Sequence, residues 1–543
     1  MNKWLRRANT KVGVSGAAIL LIAVSLIGQV LGFLRYKMVN ANFPVLGPDS
    51  TDAYFVAFKI PDFFFFTLAA GALGVAFMPI LAEHLERGDR KGVWELSNSL
   101  MNLLAVVMAV VGVIIFVFAD PLVRYVVGPG LTAPDVPPEQ FHNAVLIMRI
   151  IAFNPLLFAL SGVWASVQQT FGRFFFFAVA PLFYNLSIMI SAIVFSVAPG
   201  HGGGPGGIGL AGLGIGALVG GVIQLFVVGF GLWGAGYKWH PKISWNNKDF
   251  RLILRQLPPR SIDQGMDSFN SIVETNLASR IGLGNLSFYE NAYILHTTPI
   301  LLIGTTISTA AFPRMTERLA QGRPDLFRKE FLQVLRAMIW MAMPTIVVCY
   351  FARAYFARLI FTNAAPEIAL VFGFLVGAIL FRIIYSIVSR WFYAQKDTKT
   401  PLFVSLAAIA LNIALAYMWS RPSSYGISGL AMAQSVVAGV EVVILCTVML
   451  VRDRKLFDGA FVGGLIKILS VTGFTVLTAF VMVSLLPLRL GDIGATLLIK
   501  LSLISGAILS VHLVVSLIFG LEEAKPVIER TKRFILKPIK ITY

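Results

Sequence analysis

The chain has 543 residues, of which 57% are hydrophobic and 13% charged, with a formal net charge of +18. Soluble domains carry roughly 25% charged residues, so the composition excludes a soluble globular protein. It points instead to an all-α polytopic membrane protein. The basic excess does not indicate nucleic acid, because the charges fall in alternate loops between apolar runs.

Each bilayer crossing needs about 20 mostly apolar residues. About fourteen such segments are expected in chain order. Those of the first half lie near 13–38, 52–82, 95–119, 143–169, 174–198 and 208–233. The second half begins with 252–282 and 287–318. It continues with 332–352, 366–394, 402–420, 426–450, 461–486 and 495–520. The N-terminus has the basic start of a signal peptide, with Lys3, Arg6, Arg7 and Lys11. Its apolar run, Val12 to Leu34, is too long for an h-region and lacks a small-residue cleavage site. It reads as a retained first crossing.

Loop charge sets the orientation. With the N-terminus cytoplasmic, thirty Lys and Arg residues lie on the cytoplasmic side and six on the other. The basic tail from Lys525 to Lys540 falls on the cytoplasmic side, where it can also meet anionic headgroups. Pro199 to Gly207 and Pro134 to Pro138 read as external loops. His201, in the first of these, reads as a solvated side chain. Cys349 and Cys446 lie inside apolar segments and read as inert thiols.

The second crossing ends in a signature that returns. Pro79, Glu83, Leu85 and Gly88 recur as Pro313, Glu317, Leu319 and Gly322, an offset of 234. Upstream, Tyr54, Ala57 and Phe58 match Tyr289, Ala292 and Tyr293 at 235. A weaker echo joins 168–185 to 395–412. The expected organisation is therefore two six-helix lobes, 1–240 and 241–460, an extra helix pair at 461–522 and a basic tail at 523–543. An even number of crossings separates the repeats, so they are parallel, and such repeats hold substrate between them.

Intramembrane charges are costly and usually face a protein interior or a wet cavity. The first crossing carries Gln29, Arg35 and Lys37. The second carries Asp52, Lys59 and Asp62, with Asp52 also placed to cap its own helix beside Ser50 and Thr51. The seventh carries Arg260, Asp263, Asp267, Asn270 and Glu274 at spacings of 3, 4, 3 and 4, which puts all five on one face. That stripe fits a hydrated cavity or a static seam. Arg149, Glu290, His296, Arg382 and Arg390 add to the set, Glu441 lies on the twelfth crossing, Lys467 and Lys500 read as headgroup anchors and His512 lies on the last crossing. The runs Phe63–Phe66 and Phe174–Phe177 read as packing or lipid contacts. No P-loop, metal-ligand cluster or nucleophile–base pattern occurs, so an enzyme is not expected.

Several motifs resemble one family. These are Val30-Leu31-Gly32-Phe33-x-Arg35, Thr51-Asp52-Ala53-Tyr54-Phe55-Val56-Ala57-Phe58-Lys59-x-Pro61, and Gly71-Ala72 with Ala76-Phe77-x-Pro79-Ile80-Leu81-Ala82-Glu83. A fourth is Phe392-Tyr393-Ala394-Gln395-x-Asp397-x-Lys399-Thr400-Pro401. Together they are similar to the MurJ (MviN) lipid II flippases of the multidrug/oligosaccharidyl-lipid/polysaccharide exporter superfamily. The resemblance implies two lobes around a cationic cavity for the diphosphate-sugar head of lipid II, and a groove for its lipid tail on the last two crossings. It implies transfer from the inner to the outer leaflet of the bacterial cytoplasmic membrane by alternating access.

Of the family's arginines, Arg35 is present, while Gln29, Phe65 with Phe66, and Ile294 stand at other arginine positions, and Ala70 stands where the family has a glutamate. Candidate substrate contacts are Arg35, Asp52, Lys59, Arg149, Arg260, Glu290 and Arg382. Candidate coupling or gating residues are Asp263, Asp267, Glu274 and Asn412. The expected partners are a lipid-linked cell-wall precursor and membrane lipids, with no nucleic acid and a monomer as the working state. No cofactor is expected, and coupling to the membrane potential, Na+ or H+ stays open. Two other transport readings also stay open: a flippase for another polyprenyl-linked oligosaccharide, and an ion-coupled exporter of small cations. A fourth reading is a non-transporting scaffold.

Overall fold

The computed structural model describes residues 14–70, 77–361, 364–489, 491–525 and 529, and of residues 14–19, 70 and 257–264 the backbone alone. Every regular element among them is helical. Packing divides the chain into two compact units, Met1–Ser287 and Phe288–Tyr543. The sequence repeat places its seam near residue 240, whereas the packing seam falls well after it, at Ser287.

The first unit holds α1 (Val14–Asn42), α2 (Thr51–Phe64), α3 (Met78–Glu86), α4 (Arg90–Val117), α5 (Pro138–Ile150), α6 (Asn154–Thr170), α7 (Phe175–Val194), α8 (Gly212–Gly231) and α9 (Lys248–Ile281). α10 (Asn285–Pro299) starts there and continues into the second unit. The second unit holds α11 (Thr306–Ala320), α12 (Pro324–Phe351), α13 (Arg353–Ile360), α14 (Ala365–Ala394), α15 (Lys399–Trp419), α16 (Ile427–Arg452), α17 (Gly459–Leu485) and α18 (Gly494–Ile518).

Twelve helical spans among the described residues are long and apolar enough to cross a membrane. Of the fourteen expected crossings, 52–82 and 252–282 are not among those twelve. Residues 71–76 of the first lie outside the described set. The second is α9, a single helix of 34 residues. With a helical rise of about 1.5 Å per residue its length suffices, but its charges lower its hydropathy.

The repeat is visible in backbone detail. A π-helical turn follows α2 at Phe65–Ala70, and its counterpart follows α10 at Ile300–Thr305, in the register of the Tyr54 and Tyr289 match. α4 and α12 are both 28 residues long, and their first residues, Arg90 and Pro324, keep the register of the Pro79 and Pro313 match. Left-handed Gly88 and Gly322, with φ of 73° and 68°, close the helices that precede them. The weaker echo resolves at a slightly different register, because Gly172 and Lys396, both at positive φ, end α6 and α14 at an offset of 224.

Each unit has its own apolar core. In the first, Leu96, Leu100 and Leu104 of α4 meet Val163 and Val167 of α6 and Phe250 and Ile253 of α9. In the second, Leu497, Leu501, Ile504 and Ile508 of α18 pack with Val347, Val348 and Tyr355 of α12 and α13. Lipid is as apolar as leucine, so close packing rather than water exclusion holds such helices together. The α7–α8 pair shows this through Gly212, Gly216 and Gly220, spaced four apart. A Cβ at Gly216 would lie 2.1 Å from Ser191 Oγ, and one at Gly212 would lie 2.1 Å from Phe195 Cγ. Gly216→Val should therefore cost about 1–3 kcal/mol by overpacking. Gly473→Ala on α17, where a Cβ meets nothing within 4 Å, should be neutral or slightly stabilising. Unfolding midpoints in detergent check both.

Candidate functional site

The first turn of α2 uses its polar residues in two directions. Ser50 is the N-cap, its Oγ accepting the Asp52 N–H at 3.2 Å. Asp52 is thereby released from capping its own helix, and it caps α10 instead. The Gly284 N–H donates to Asp52 Oδ2 at 2.9 Å and the Ser287 N–H to Oδ1 at 2.7 Å. Thr51 Oγ1 meets Ser287 Oγ at 2.7 Å. Asp52 is 3% exposed, so the carboxylate exchanges solvation for two donors at a helix N-terminus. Positions 52 and 287 are equivalent in the two repeats, and here they touch.

One helical face further along, Lys59 Nζ donates to Ser271 Oγ of α9 at 2.9 Å. α9 packs along α2 and its π turn, and Gly265 lets the backbone approach Thr67, whose Oγ1 would lie 2.9 Å from an added Cβ. On the stripe, Asn270 Nδ2 donates to Glu274 Oε1 at 3.0 Å, with Glu274 buried and Asp267 exposed. The side chains of Arg260 and Asp263 lie outside the described residues. Arg35 is half-buried on α1, its guanidinium 5.0 Å from the Tyr36 ring centroid, within electrostatic range of Tyr54 and Tyr184. Arg149 is exposed and donates to the Phe116 carbonyl at 3.3 Å, in the last turn of α4. The first unit thus joins Lys59 to the α9 stripe, Asp52 to α10, and leaves Arg149 at a helix end.

In the second unit Arg382 on α14 donates to Glu441 Oε2 of α16 at 3.0 Å. Ser405 Oγ of α15 donates to Glu441 Oε1 at 2.7 Å, and Tyr385 Oη meets Ser405 Oγ at 2.9 Å. Glu441 is 2% exposed. His296 is equally buried, within range of the Arg382 charge, with its ring 5.2 Å from that of Tyr293. Asn412 is buried on α15, and Glu290 is half-buried on α10. The sequence reading gives Glu441 no role. Its partners on α14 and α15 lie far from it along the chain, and local periodicity carries no signal for them.

On α18, Lys500 does not reach for a headgroup. It donates to Asp492 Oδ2 at 2.6 Å and to the Pro487 carbonyl at 2.9 Å. His512 joins Thr475 across α17–α18 at 3.0 Å.

A protein-family model described as lipid II flippase MurJ matches residues 46–502. The chain belongs to that family. A probable lipid II flippase MurJ of Vibrio cholerae serotype O1 is 28% identical over 447 residues, covering 79% of this chain and 81% of the relative. A solved structure described as lipid II flippase MurJ in an inward closed conformation superposes with a TM-score of 0.74 at 21% identity, over 92% of this chain and 98% of that one. An inward-facing MATE multidrug transporter of the MOP superfamily superposes at 0.64 with 14% identity, over 83% and 98%. These two likenesses concern the fold.

For a MurJ-family chain, the motif leaving α14 has a plain structural basis. Asp397 accepts the backbone N–H groups of Lys399 and Thr400 at 3.1 and 3.0 Å and the Thr400 hydroxyl at 2.6 Å, opening α15. It also pairs with Arg452 at 2.7 Å. Burial works against its charge, but the Thr400 hydrogen bonds and Arg452 outweigh it and hold the carboxyl down to about 2. Phe65, at a position where the resemblance implied arginine, packs edge-on against Phe158 at 5.6 Å, so an apolar contact occupies that place.

Proposed function

We propose that this protein moves lipid II across the bacterial cytoplasmic membrane, from the inner to the outer leaflet, by alternating access. The observation that carries the reading is the family match across residues 46–502, which spans both repeats. A diphosphate head needs cations, and an arginine or lysine reaching a phosphate makes a strong charge-assisted hydrogen bond. Arg35 and Lys59 supply two such groups in the first unit, and Arg260 a third by its place on α9. Asp267 and Glu274 are proposed to answer the driving ion or field, since one charge moved through 100 mV is worth about 2.3 kcal/mol. Both chain ends are placed in the cytoplasm on the thirty-to-six split of basic residues.

Complementation of a cell depleted of its own lipid II flippase tests this. The wild-type chain should restore growth and outer-leaflet lipid II. Lys59→Ala should fail at normal protein levels, since losing one charged hydrogen bond of about 1.5–3 kcal/mol lowers substrate affinity by roughly ten- to a hundredfold. Normal growth with Lys59→Ala and Arg35→Ala combined would sink the cationic-cavity reading. A second reading is a flippase for another polyprenyl-linked oligosaccharide, favoured by Gln29, Phe65 and Ile294 at the arginine positions. Rescue of an oligosaccharide-export defect but not of lipid II flipping would select it.

A further inference from the structure

Beyond the end of the second crossing, one imidazole joins three helix ends. His84 sits in the last turn of α3. Its Nδ1 lies 2.9 Å from Asp89 Oδ2, and its Nε2 lies 2.9 Å from Asp249 Oδ2. Asp89 is the N-cap of α4, its other oxygen accepting the Gly92 N–H at 2.9 Å. Asp249 lies in the first turn of α9, behind the N-cap Asn247. A cation at the C-terminus of α3 and anions at the N-termini of α4 and α9 all match the helix dipoles. Gly92 makes room for the arrangement: a Cβ there would lie 2.2 Å from Asp89 Oδ2 and 2.5 Å from His84 Nδ1.

The geometry fixes the protonation state. A carboxylate only accepts, and a neutral imidazole has a single N–H to donate. With a carboxylate oxygen at each ring nitrogen, only the imidazolium satisfies both. Losing the proton sets a lone pair against a carboxylate and breaks one of the two bridges.

We propose that His84, Asp89 and Asp249 form a proton-operated clamp that ties α3 to α4 and α9 and releases α9 as the pH on that face rises, since Asp89 stays beside His84 by chain connectivity while Asp249 lies 165 residues away. The charge reading of the loops makes that face cytoplasmic. Other charges near the clamp are Glu83 and Glu86 on α3 and Arg87 at its C-cap, Arg90, Lys91 and Glu95 on α4, and Lys248 and Arg251 on α9. Arg87 is engaged with Glu83. α6, which also packs against α3, carries no charged residue, and Arg173 just beyond it lies within range of Arg90. Burial opposes protonation of His84, but its hydrogen bonds and charge contacts with Asp89 and Asp249 outweigh this and raise its pKa above 6.5. A group raised in the folded state stabilises it fully below the unfolded value and loses that contribution as pH climbs through the folded one. Release therefore falls above the ordinary histidine range. Because α9 carries Asp267, Asn270 and Glu274, the clamp biases the helix that bears the polar stripe. It depends on no assumption about the substrate, so its failure leaves the flippase reading standing.

Spin labels at Glu86→Cys and Leu252→Cys, with Cys349 and Cys446 replaced by alanine, test this in purified full-length protein. The distance distribution should be single at pH 6 and gain a longer component by pH 8.5. His84→Gln and Asp249→Asn should each abolish the pH response. His84→Arg, permanently charged with two donor edges, should keep the short distance at both values. A wild-type distribution that does not change with pH would overturn the clamp. So would a response that survives in His84→Gln, with each variant checked as monodisperse on size exclusion.

Discussion

Arg382→Ala should be among the most damaging single substitutions in the second unit, costing about 3 kcal/mol of unfolding stability. Removing one member of a buried ion pair strands the other, at roughly 3–5 kcal/mol. Here the stranded group is Glu441, 2% exposed and left with the Ser405 hydroxyl as donor. The lower end of the range applies because Arg382 keeps 34% of its side chain exposed, where solvent screens its charge. Glu441→Gln should cost less, since the amide still accepts from Ser405 and Arg382 is less buried than its partner. The double replacement Arg382→Met, Glu441→Leu should recover most of the loss, because an apolar pair of similar volume carries no desolvation penalty and the Ser405 hydroxyl keeps Tyr385 as its partner. Unfolding midpoints in detergent decide it. Arg382→Ala as stable as the wild type would mean that the pair contributes nothing to stability. Recovery of stability in the double variant without recovery of complementation would assign the ion pair a part in transport.

This pair shows where sequence reading stops. Apolar run length and loop charge suffice to expect an all-α membrane protein, and twelve of the expected crossings appear as long apolar spans. The spacing of 3, 4, 3 and 4 on α9 is enough to place Asp267, Asn270 and Glu274 on one face, because helix periodicity is local. Identity at an offset of 234 announces the repeat. The π turns at Phe65–Ala70 and Ile300–Thr305 are hidden from it, since FFTLAA and ILLIGT share no residue at matching positions and only backbone geometry relates them. The partners of Arg382 and Lys59, and Asp249 as a partner of His84, are hidden for another reason. Each lies on a different helix, and helix order along the chain does not fix which faces meet. The α7–α8 contact, by contrast, is available in the spacing of Gly212, Gly216 and Gly220.

Asp52→Ala should destabilise the start of α10 by about 1–3 kcal/mol and abolish complementation. Two backbone N–H groups, Gly284 and Ser287, lose their acceptor in a place where Asp52 is 3% exposed, and a buried donor left unmade costs its full desolvation. Removal of an N-cap acceptor alone costs about 0.5–2 kcal/mol. Asp52→Asn separates capping from charge. Asparagine caps a helix about as well as aspartate, so if Asp52 works by capping, Asn should retain most stability and activity. Should the carboxylate instead bind substrate or a cation through its charge, Asn should fail as completely as Ala while remaining stable. Amide hydrogen exchange at 284–288 supplies the direct readout: faster exchange in Asp52→Ala and near wild-type exchange in Asp52→Asn are expected for the cap. Unchanged exchange in Asp52→Ala would remove the cap from the account. Because 52 and 287 are equivalent positions of the repeat, Ser287→Ala should mimic only part of the loss: its side chain meets Thr51, but the N–H that Asp52 holds belongs to the backbone and survives the substitution.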